Sequence, residues 1–205
     1  MNCCFGLICV TAMIKNTLFI FLFFVSSSAF AQFTVTIQWQ NIKPGNAGDT
    51  IYYSPGKKLS WDDFKGKPDA ASAAAAITES GFGYKMSMRS INKKTNVVIT
   101  VFCYFNKKKS WVKKDMDTDY ALTHEQHHYD ITYINACLFI QKLKDAQLNL
   151  GNFNYQVEKI HDESFAALEK MQDDYDGQTS NGRINRMQNA WNKKIDQQLA
   201  SLITN

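Results

Sequence analysis

The periodicity of apolar residues changes once along the chain, and this change constrains the fold more than any other feature. Residues 33–39 alternate apolar and polar side chains, and residues 96–105 form a β-branched and aromatic run. Both patterns predict strands. The alternating segment around Tyr84 and the turn that begins at Asn92 predict an antiparallel hairpin with the second of these strands. After Trp111 the spacing becomes helical, so the sequence predicts an α+β fold, with an N-terminal antiparallel sheet followed by three helices.

The three helices can be placed approximately. The first is predicted from about Thr118 to Ala146, the second ends near Asp176, and the third carries apolar residues at helical spacing between Ile184 and Leu202. The loop at residues 149–154 is short, which predicts that the first two helices are antiparallel. The beginning of the first helix should therefore lie beside the end of the second.

The N-terminal segment has the features of a secretory signal peptide. Lys15 precedes an apolar run from Leu18 to Val25, and residues 29–31 read Ala-Phe-Ala, the A-x-A form of a signal-peptidase site. The run is short for a membrane helix, and both Met1 and Met13 could start translation. We expect residues 1–31 to be removed, leaving residues 32–205 as one secreted or periplasmic domain with no membrane anchor.

Composition narrows the functional class. The 205 residues are 45% hydrophobic and 20% charged, which is typical of a globular protein. A formal net charge of +4 is too small to predict a nucleic-acid partner. After signal cleavage two cysteines remain, Cys103 and Cys137. They could form a disulfide in an oxidising compartment, but a strand position and a mid-helix position equally fit buried thiols, which we favour.

The stretch LTHEQHHYDI, residues 122–131, contains three of the four histidines in the chain. His124, Glu125 and His128 form an H-E-x-x-H string near the start of the first predicted helix. A shuffled chain of this composition contains such a string roughly once in seven hundred cases. On a helix, residues i and i+4 lie on one face, so both imidazoles could bind one Zn²⁺. His127 is directed elsewhere on the helix and is expected to be a partly exposed polar residue.

This pattern predicts metallohydrolase chemistry. Zinc with three protein ligands keeps a fourth position for water and lowers the pKa of that water to about 7. Glu125 would act as the general base and then deliver the proton to the leaving amine. An exposed sheet edge beside the metal could pair with an extended peptide, which favours a peptide or protein substrate.

Five strings occur in order along the chain: LSWDDFKGKPD, SWVKKD, LTHEQHHYDIT, YDGQTSNG and AWNKKID. Together they resemble the bacterial family of predicted secreted zinc-dependent proteases (domain of unknown function 922-like). The resemblance implies a zincin-like domain in which His124 and His128 are metal ligands and Glu125 is catalytic. Asp130 matches an acidic position of the family. It could orient a ligand imidazole or support local structure, and we favour the structural role.

The third metal ligand is left open by the sequence. The family pattern continues to T-x-H-G, whereas this chain has Asn181 at the histidine position, and an amide is a poor zinc ligand. A carboxylate can substitute, and Asp176 is favoured because the antiparallel helices should bring it to the two histidines. His161 and Glu163 are alternatives, although both should lie several turns away. The leading hypothesis is a secreted zinc metalloprotease; the alternative is a non-catalytic envelope protein with a degenerate or structural metal site.

Overall fold

The computed structural model describes residues 32–40 and 48–203. Within these ranges the chain forms six strands followed by three helices: β1 Gln32–Trp39, β2 Thr50–Tyr52, β3 Ala76–Ile77, β4 Ser80–Ile91, β5 Lys94–Asn106, β6 Trp111–Val112, α1 Asp119–Asp145, α2 Phe153–Thr179 and α3 Asn185–Ile203. A 3₁₀ turn at Trp61–Asp63 lies between β2 and β3. This order confirms the predicted α+β class. The predicted signal peptide, residues 1–31, lies outside the described residues.

Strand β5 is the centre of the main sheet. Strand β4 pairs antiparallel with it from Ile91 opposite Lys94 to Ser80 opposite Phe105. Strands β1 and β2 share the other edge of β5: β2 is antiparallel, but β1 is parallel to β5. The prediction of an antiparallel sheet is therefore wrong for β1. An alternating pattern specifies which side chains face the core, but it does not specify the direction in which the strand pairs.

The predicted β4–β5 hairpin is confirmed, and its turn explains its geometry. Asn92 and Lys93 have φ angles of 49° and 63°. Positive φ at both central residues is the requirement of a type I′ turn, whose twist matches that of the paired strands. Asparagine tolerates this conformation better than most residues because its short polar side chain can bond locally.

The core lies between the main sheet and α1. Alternate residues of β5 are fully buried, including Val97, Ile99 and Phe105, and they belong to the same core cluster as Ile131 and Phe139 of α1. Full burial of a large apolar side chain contributes about 1.5–3 kcal/mol. Helix α1 contacts the sheet as well as α2 and α3, so it is enclosed on more than one side. Residues 124–127 are consequently all buried.

The helix ends are fixed by local hydrogen bonds. Thr118 caps α1 by accepting a bond from the backbone N–H of Ala121 at 3.1 Å. At the end of α2, Ser180, Asn181 and Gly182 have φ angles of 53°, 51° and 79°. These three left-handed residues reverse the chain into α3. The backbone N–H of Asn181 donates to the carbonyl of Asp176 at 2.8 Å, which holds this turn against the last turn of α2.

Strands β3 and β6 form a separate two-stranded antiparallel sheet beside the start of α1. The hydroxyl of Thr78, one residue after β3, donates to the backbone carbonyl of Glu125 at 3.2 Å. This bond places β3 next to the H-E-x-x-H segment. No helix in the described ranges is both long and apolar enough to cross a lipid bilayer.

The two cysteines in the described ranges are free thiols, but the prediction that both are buried holds only for Cys103. Cys103 is buried in β5, and Cys137 on α1 is half-buried. Burial raises the pKa of the Cys103 thiol well above its usual value and that of Cys137 to about 11. Both therefore stay protonated and unreactive at neutral pH.

Candidate metal centre

The two histidines of the H-E-x-x-H string lie side by side on α1, as their spacing predicts. Their Nε2 atoms are 3.1 Å apart, and the ring planes are nearly perpendicular, at 85°. His124 is buried and His128 is half-buried at the edge of a cleft. Both nitrogens therefore converge on one point at the beginning of α1.

Asp176 supplies a third atom from α2. Its Oδ1 lies 3.1 Å from the Nε2 of His124 and 3.0 Å from the Nε2 of His128. The three side chains form a group that could hold a metal ion. The prediction that the antiparallel helices bring Asp176 to the histidines is confirmed. The sides of this triangle are close to the ~3.3 Å expected between two ligand atoms of a tetrahedral ion with bonds of ~2.0 Å.

The alternative third ligands lie elsewhere. His161 packs among aromatic rings, 5.6 Å from the ring centroid of Phe82 and 5.7 Å from that of Phe139. Glu163 is paired with Lys159 on the surface of α2 at 3.4 Å. Neither belongs to the three-residue group, which agrees with the predicted register of the helices. Asn181 is exposed at the rim of the same cleft.

Two glutamines determine the orientation of the histidine rings. The Nδ1 of His128 is 2.5 Å from Oε1 of Gln172, and the Nε2 amide of Gln172 donates to the backbone carbonyl of His128 at 2.9 Å. That carbonyl only accepts, so the glutamine Oε1 must face the ring and accept from Nδ1–H. The Nδ1 of His124 lies 2.9 Å from Oε1 of Gln188, which is on α3.

These bonds have a direct electrostatic consequence. With Nδ1 of each ring protonated, the neutral rings both present the Nε2 lone pair to the shared point. A carboxylate oxygen of Asp176 faces the same point. Three lone pairs about 3 Å apart repel one another unless a proton or a metal ion lies among them. Such hydrogen bonds from the second ring nitrogen are the usual means by which proteins orient metal-binding histidines.

The acid–base properties of the group favour a cation. Burial alone would lower the pKa of His128, but its hydrogen bond to Asp176 and the negative charges of Glu125 and Asp176 raise that pKa to about 9. Burial alone would raise the pKa of Asp176. Its hydrogen bonds to His124 and His128 have the larger combined effect and hold its pKa far below the usual value. A positive charge is thus stabilised at this position at neutral pH.

Glu125 lines the same cleft as the three clustered side chains. It is 5% exposed, and its Oε2 atom has no hydrogen-bond partner within the described part of the chain. A buried carboxylate oxygen without a partner carries a desolvation cost. Buried polar atoms are normally paired, so the missing partner indicates that Glu125 has a role other than packing.

Tyr175 and Gly182 support His124 from the other side. The ring of Tyr175 stacks on His124 with centroids 4.6 Å apart, and its hydroxyl accepts a bond from Gln188 at 2.5 Å. A Cβ atom on Gly182 would lie 3.3 Å from the Nδ1 of His124, and Gly182 has a φ of +79°. Sequence reasoning missed Tyr175, Gly182, Gln172 and Gln188. Only Gln172 could have been found from the sequence, because it lies four residues before Asp176 and therefore on the same face of α2.

Asp130 has the structural role that was favoured. Its Oδ1 accepts bonds from the hydroxyl of Tyr53 and from Gln126, both at 2.8 Å, and Lys58 lies 3.4 Å from its Oδ2. These bonds connect α1 to the segment that follows β2, and none involves His124 or His128.

The expectation for His127 is wrong. It is only 4% exposed, and its Nε2 lies 3.6 Å from a carboxylate oxygen of Asp196 on α3. Burial lowers the pKa of His127, so the neutral ring is favoured. Helix α3 covers this face of α1. The polar character of a histidine does not indicate such packing, so the burial of His127 could not be predicted.

The cleft has a volume of about 960 Å³ and runs along the start of α1. One wall is the segment 73–80, which contains β3, and the other is the face of α2 that carries Asp176. The two histidines, Glu125 and the turn after α2 also line the cleft. A cleft of this size can hold several residues of an extended chain.

Comparisons with family models, curated proteins and solved structures gave no match to this chain. The fold and the site therefore define the class of protein: an α+β protein in which a His-His-Asp group that could hold a metal ion lines a cleft.

Proposed function

We propose that the protein is a secreted or periplasmic zinc-dependent metallopeptidase, of the type that its ordered sequence strings resemble. The observation that carries this proposal is the convergence of the Nε2 atoms of His124 and His128 with Oδ1 of Asp176. Each imidazole is held by a glutamine so that its lone pair is directed inward. This arrangement fits a metal ion better than a purely structural hydrogen-bond network.

The donor set supports zinc. Two imidazole nitrogens and one carboxylate oxygen are a donor set typical of zinc, whereas calcium and magnesium prefer six or more oxygen ligands. Three protein ligands beside an open cleft are also typical of a catalytic rather than a structural zinc site, which usually has four. This favours the enzyme over the alternative of a non-catalytic envelope protein.

A zinc ion bound there would supply a Lewis acid that acidifies water and polarises a carbonyl. Glu125 would accept one proton from water while the hydroxyl oxygen adds to the peptide carbonyl carbon. The carbon–nitrogen bond would then break, and Glu125 would transfer the proton to the leaving amine. The unpartnered Oε2 of Glu125 supports this role because a buried carboxylate oxygen without a protein partner is an acceptor that a catalytic water would satisfy.

The edge of β3 supports a peptide substrate. The backbone N–H of Lys113 donates to the carbonyl of Ala75 at 2.8 Å, so Ala75 faces β6. Backbone groups alternate along a strand, and those of Ala76 therefore face the other edge. Small alanine side chains at residues 73–76 allow an extended peptide to approach this edge closely.

Substitution of Glu125 tests the proposal. Wild-type protein loaded with zinc should hydrolyse unstructured peptides. Glu125→Gln should bind the same amount of zinc and lose at least 100-fold in rate. Glu163→Gln, a matched change on the surface of α2, should keep both properties. A wild type that contains zinc but cleaves no member of a diverse peptide library would instead support the non-catalytic alternative.

A further inference from the structure

Acidic side chains lie at one end of the cleft. Glu169 and Asp173 precede Asp176 by seven and three residues, so all three lie on one face of α2. Both line the cleft, both are exposed, and neither forms a salt bridge or side-chain hydrogen bond within the described ranges. Because α1 and α2 are antiparallel, these residues lie beside the part of α1 that follows His128.

Glu79 adds a third carboxylate at this end. It lines the cleft next to Ser80, whose hydroxyl lies 2.7 Å from that of Thr132 on α1. Thr132 is one turn beyond His128, which places Glu79 at the same end as Glu169. Glu79 is weakly neutralised by Lys109 at 3.6 Å.

Basic side chains lie at the opposite end. Arg183 follows the left-handed turn after α2, is exposed, and forms no salt bridge within residues 32–40 and 48–203. This turn is tied to the first residues of α1 by the hydroxyl of Tyr120, which donates to the carbonyl of Gly182 at 2.5 Å. Lys113, beside Ala75, also lines this end, and its ammonium group donates to the carbonyl of Ser72.

An unsatisfied acceptor lies between the two ends. Glu125 is 5% exposed, lines the cleft, and has no partner for Oε2. This is an independent indication that a ligand belongs in the cleft, because a buried carboxylate oxygen is normally paired. The charges at the two ends indicate the properties of that ligand.

The direction of β3 indicates in which direction a bound peptide chain would run along the cleft. From Ala75, which is bonded to Lys113, the chain runs to Thr78 beside Glu125 and then to Glu79. It therefore runs from the basic end to the acidic end. A peptide added antiparallel to β3, the slightly more stable pairing, would run from the acidic end to the basic end.

We infer that the cleft selects peptides with a lysine or arginine N-terminal to the cleaved bond and an aspartate or glutamate C-terminal to it. This rests on the proposed peptidase function and extends it to a substrate class. Asp173 lies ~4.5 Å and Glu169 ~10.5 Å from Asp176 along α2. These distances correspond to roughly one and three residues of extended peptide.

Two peptides of equal composition test the inference. One carries Lys-Lys before and Asp-Asp after a central apolar segment, and the other carries the charges in reverse. Binding is measured by fluorescence anisotropy with zinc-loaded Glu125→Gln, and cleavage by the wild type is followed by mass spectrometry. The first peptide should bind and be cleaved on the order of fivefold better at low salt, and the preference should decrease at high salt.

Charge reversals assign the effect to the two ends. Arg183→Glu should remove the preference for acidic residues after the cleaved bond, and Glu169→Lys the preference for basic residues before it. Arg186→Glu and Glu163→Lys make the same changes in net charge outside the cleft lining and should alter the preference by less than about twofold.

The outcomes separate the two proposals. Cleavage of both peptides at equal rates would overturn the inferred polarity and leave the peptidase function intact. Polarity-dependent binding without any cleavage would overturn the peptidase function and support the inferred cleft specificity. Absence of both binding and cleavage would overturn both.

Discussion

The Nε2 atoms of His124 and His128 face each other at 3.1 Å, although both rings donate their other N–H to a glutamine. The two glutamines come from different helices, α2 and α3. The arrangement therefore depends on three helices rather than on the H-E-x-x-H string alone. The histidines, Asp176, the glutamines and the turn after α2 can each be tested by substitution.

The ligand group should bind about one zinc ion per chain. His124→Ala, His128→Ala and Asp176→Ala should each reduce bound zinc to background, because two remaining ligands hold the ion weakly. Elemental analysis of the purified variants measures this. His161→Ala removes a histidine outside the group and serves as the control. Retention of zinc by Asp176→Ala would show that the third ligand is a different residue.

The glutamines should tune metal affinity without contacting the metal. Gln172→Ala removes the acceptor that holds the ring of His128, and loss of such a partner typically weakens zinc binding 10–100-fold. Competition with a chelator of known affinity measures the change. Gln141→Ala, which removes an exposed glutamine bonded to Asp145 on α1, should leave the affinity unchanged. Equal affinities for the two variants would contradict an orienting role for Gln172.

Gly182 should resist replacement more strongly than Gly177. Gly182→Ala introduces a Cβ at positive φ and 3.3 Å from the Nδ1 of His124, so it should cost about 1–2 kcal/mol of folding free energy and weaken zinc binding. Gly177→Ala lies within α2 with no atom within 4 Å of the added Cβ, and it should stabilise by about 0.5–1 kcal/mol. Thermal denaturation of the two variants should show shifts of opposite sign.

Zinc binding should compete with a proton on His128. The pKa of about 9 exceeds the ordinary value of 6.5, so in the metal-free protein the protonated ring is favoured by the fold. That contribution to stability is complete below pH 6.5 and is lost as the pH rises from 6.5 to about 9. Apparent zinc affinity should therefore increase with pH over this interval and level off above it.

Calorimetry in buffers of different ionisation enthalpy measures the protons released when zinc binds. About one proton should be released at pH 7.5, and fewer at pH 9.5. Proton release that does not change over this interval would show that His128 is not the competing group.

Much of the site could be derived from local patterns. The spacing of His124 and His128 is sufficient to place them together on one helix face. The position of Asp176 follows from two helices of similar length joined by a short loop, and the structure has this geometry. The first inference depends only on the number of residues per helical turn, and the second on the rise per residue and the length of the loop.

Features that depend on tertiary packing could not be derived in this way. The parallel pairing of β1 with β5 depends on the direction in which β1 reaches that strand, which no periodicity encodes. The burial of His127 and the contact of Gln188 with His124 both depend on where α3 packs. Side chains from α3 are separated from the motif by a turn of left-handed residues, and the sequence does not specify the angle of that turn.

The bond between His124 and Asp176 closes a loop of 52 residues. In the described part of the chain the cysteines are free, so no disulfide there closes a loop between distant residues. An ion held by these two side chains would be a reversible cross-link between distant parts of the chain, acting on the unfolded ensemble as a disulfide does. Removing it with a chelator would then weaken the fold as well as abolish the chemistry, so the supply of metal ion would determine how long the molecule stays folded.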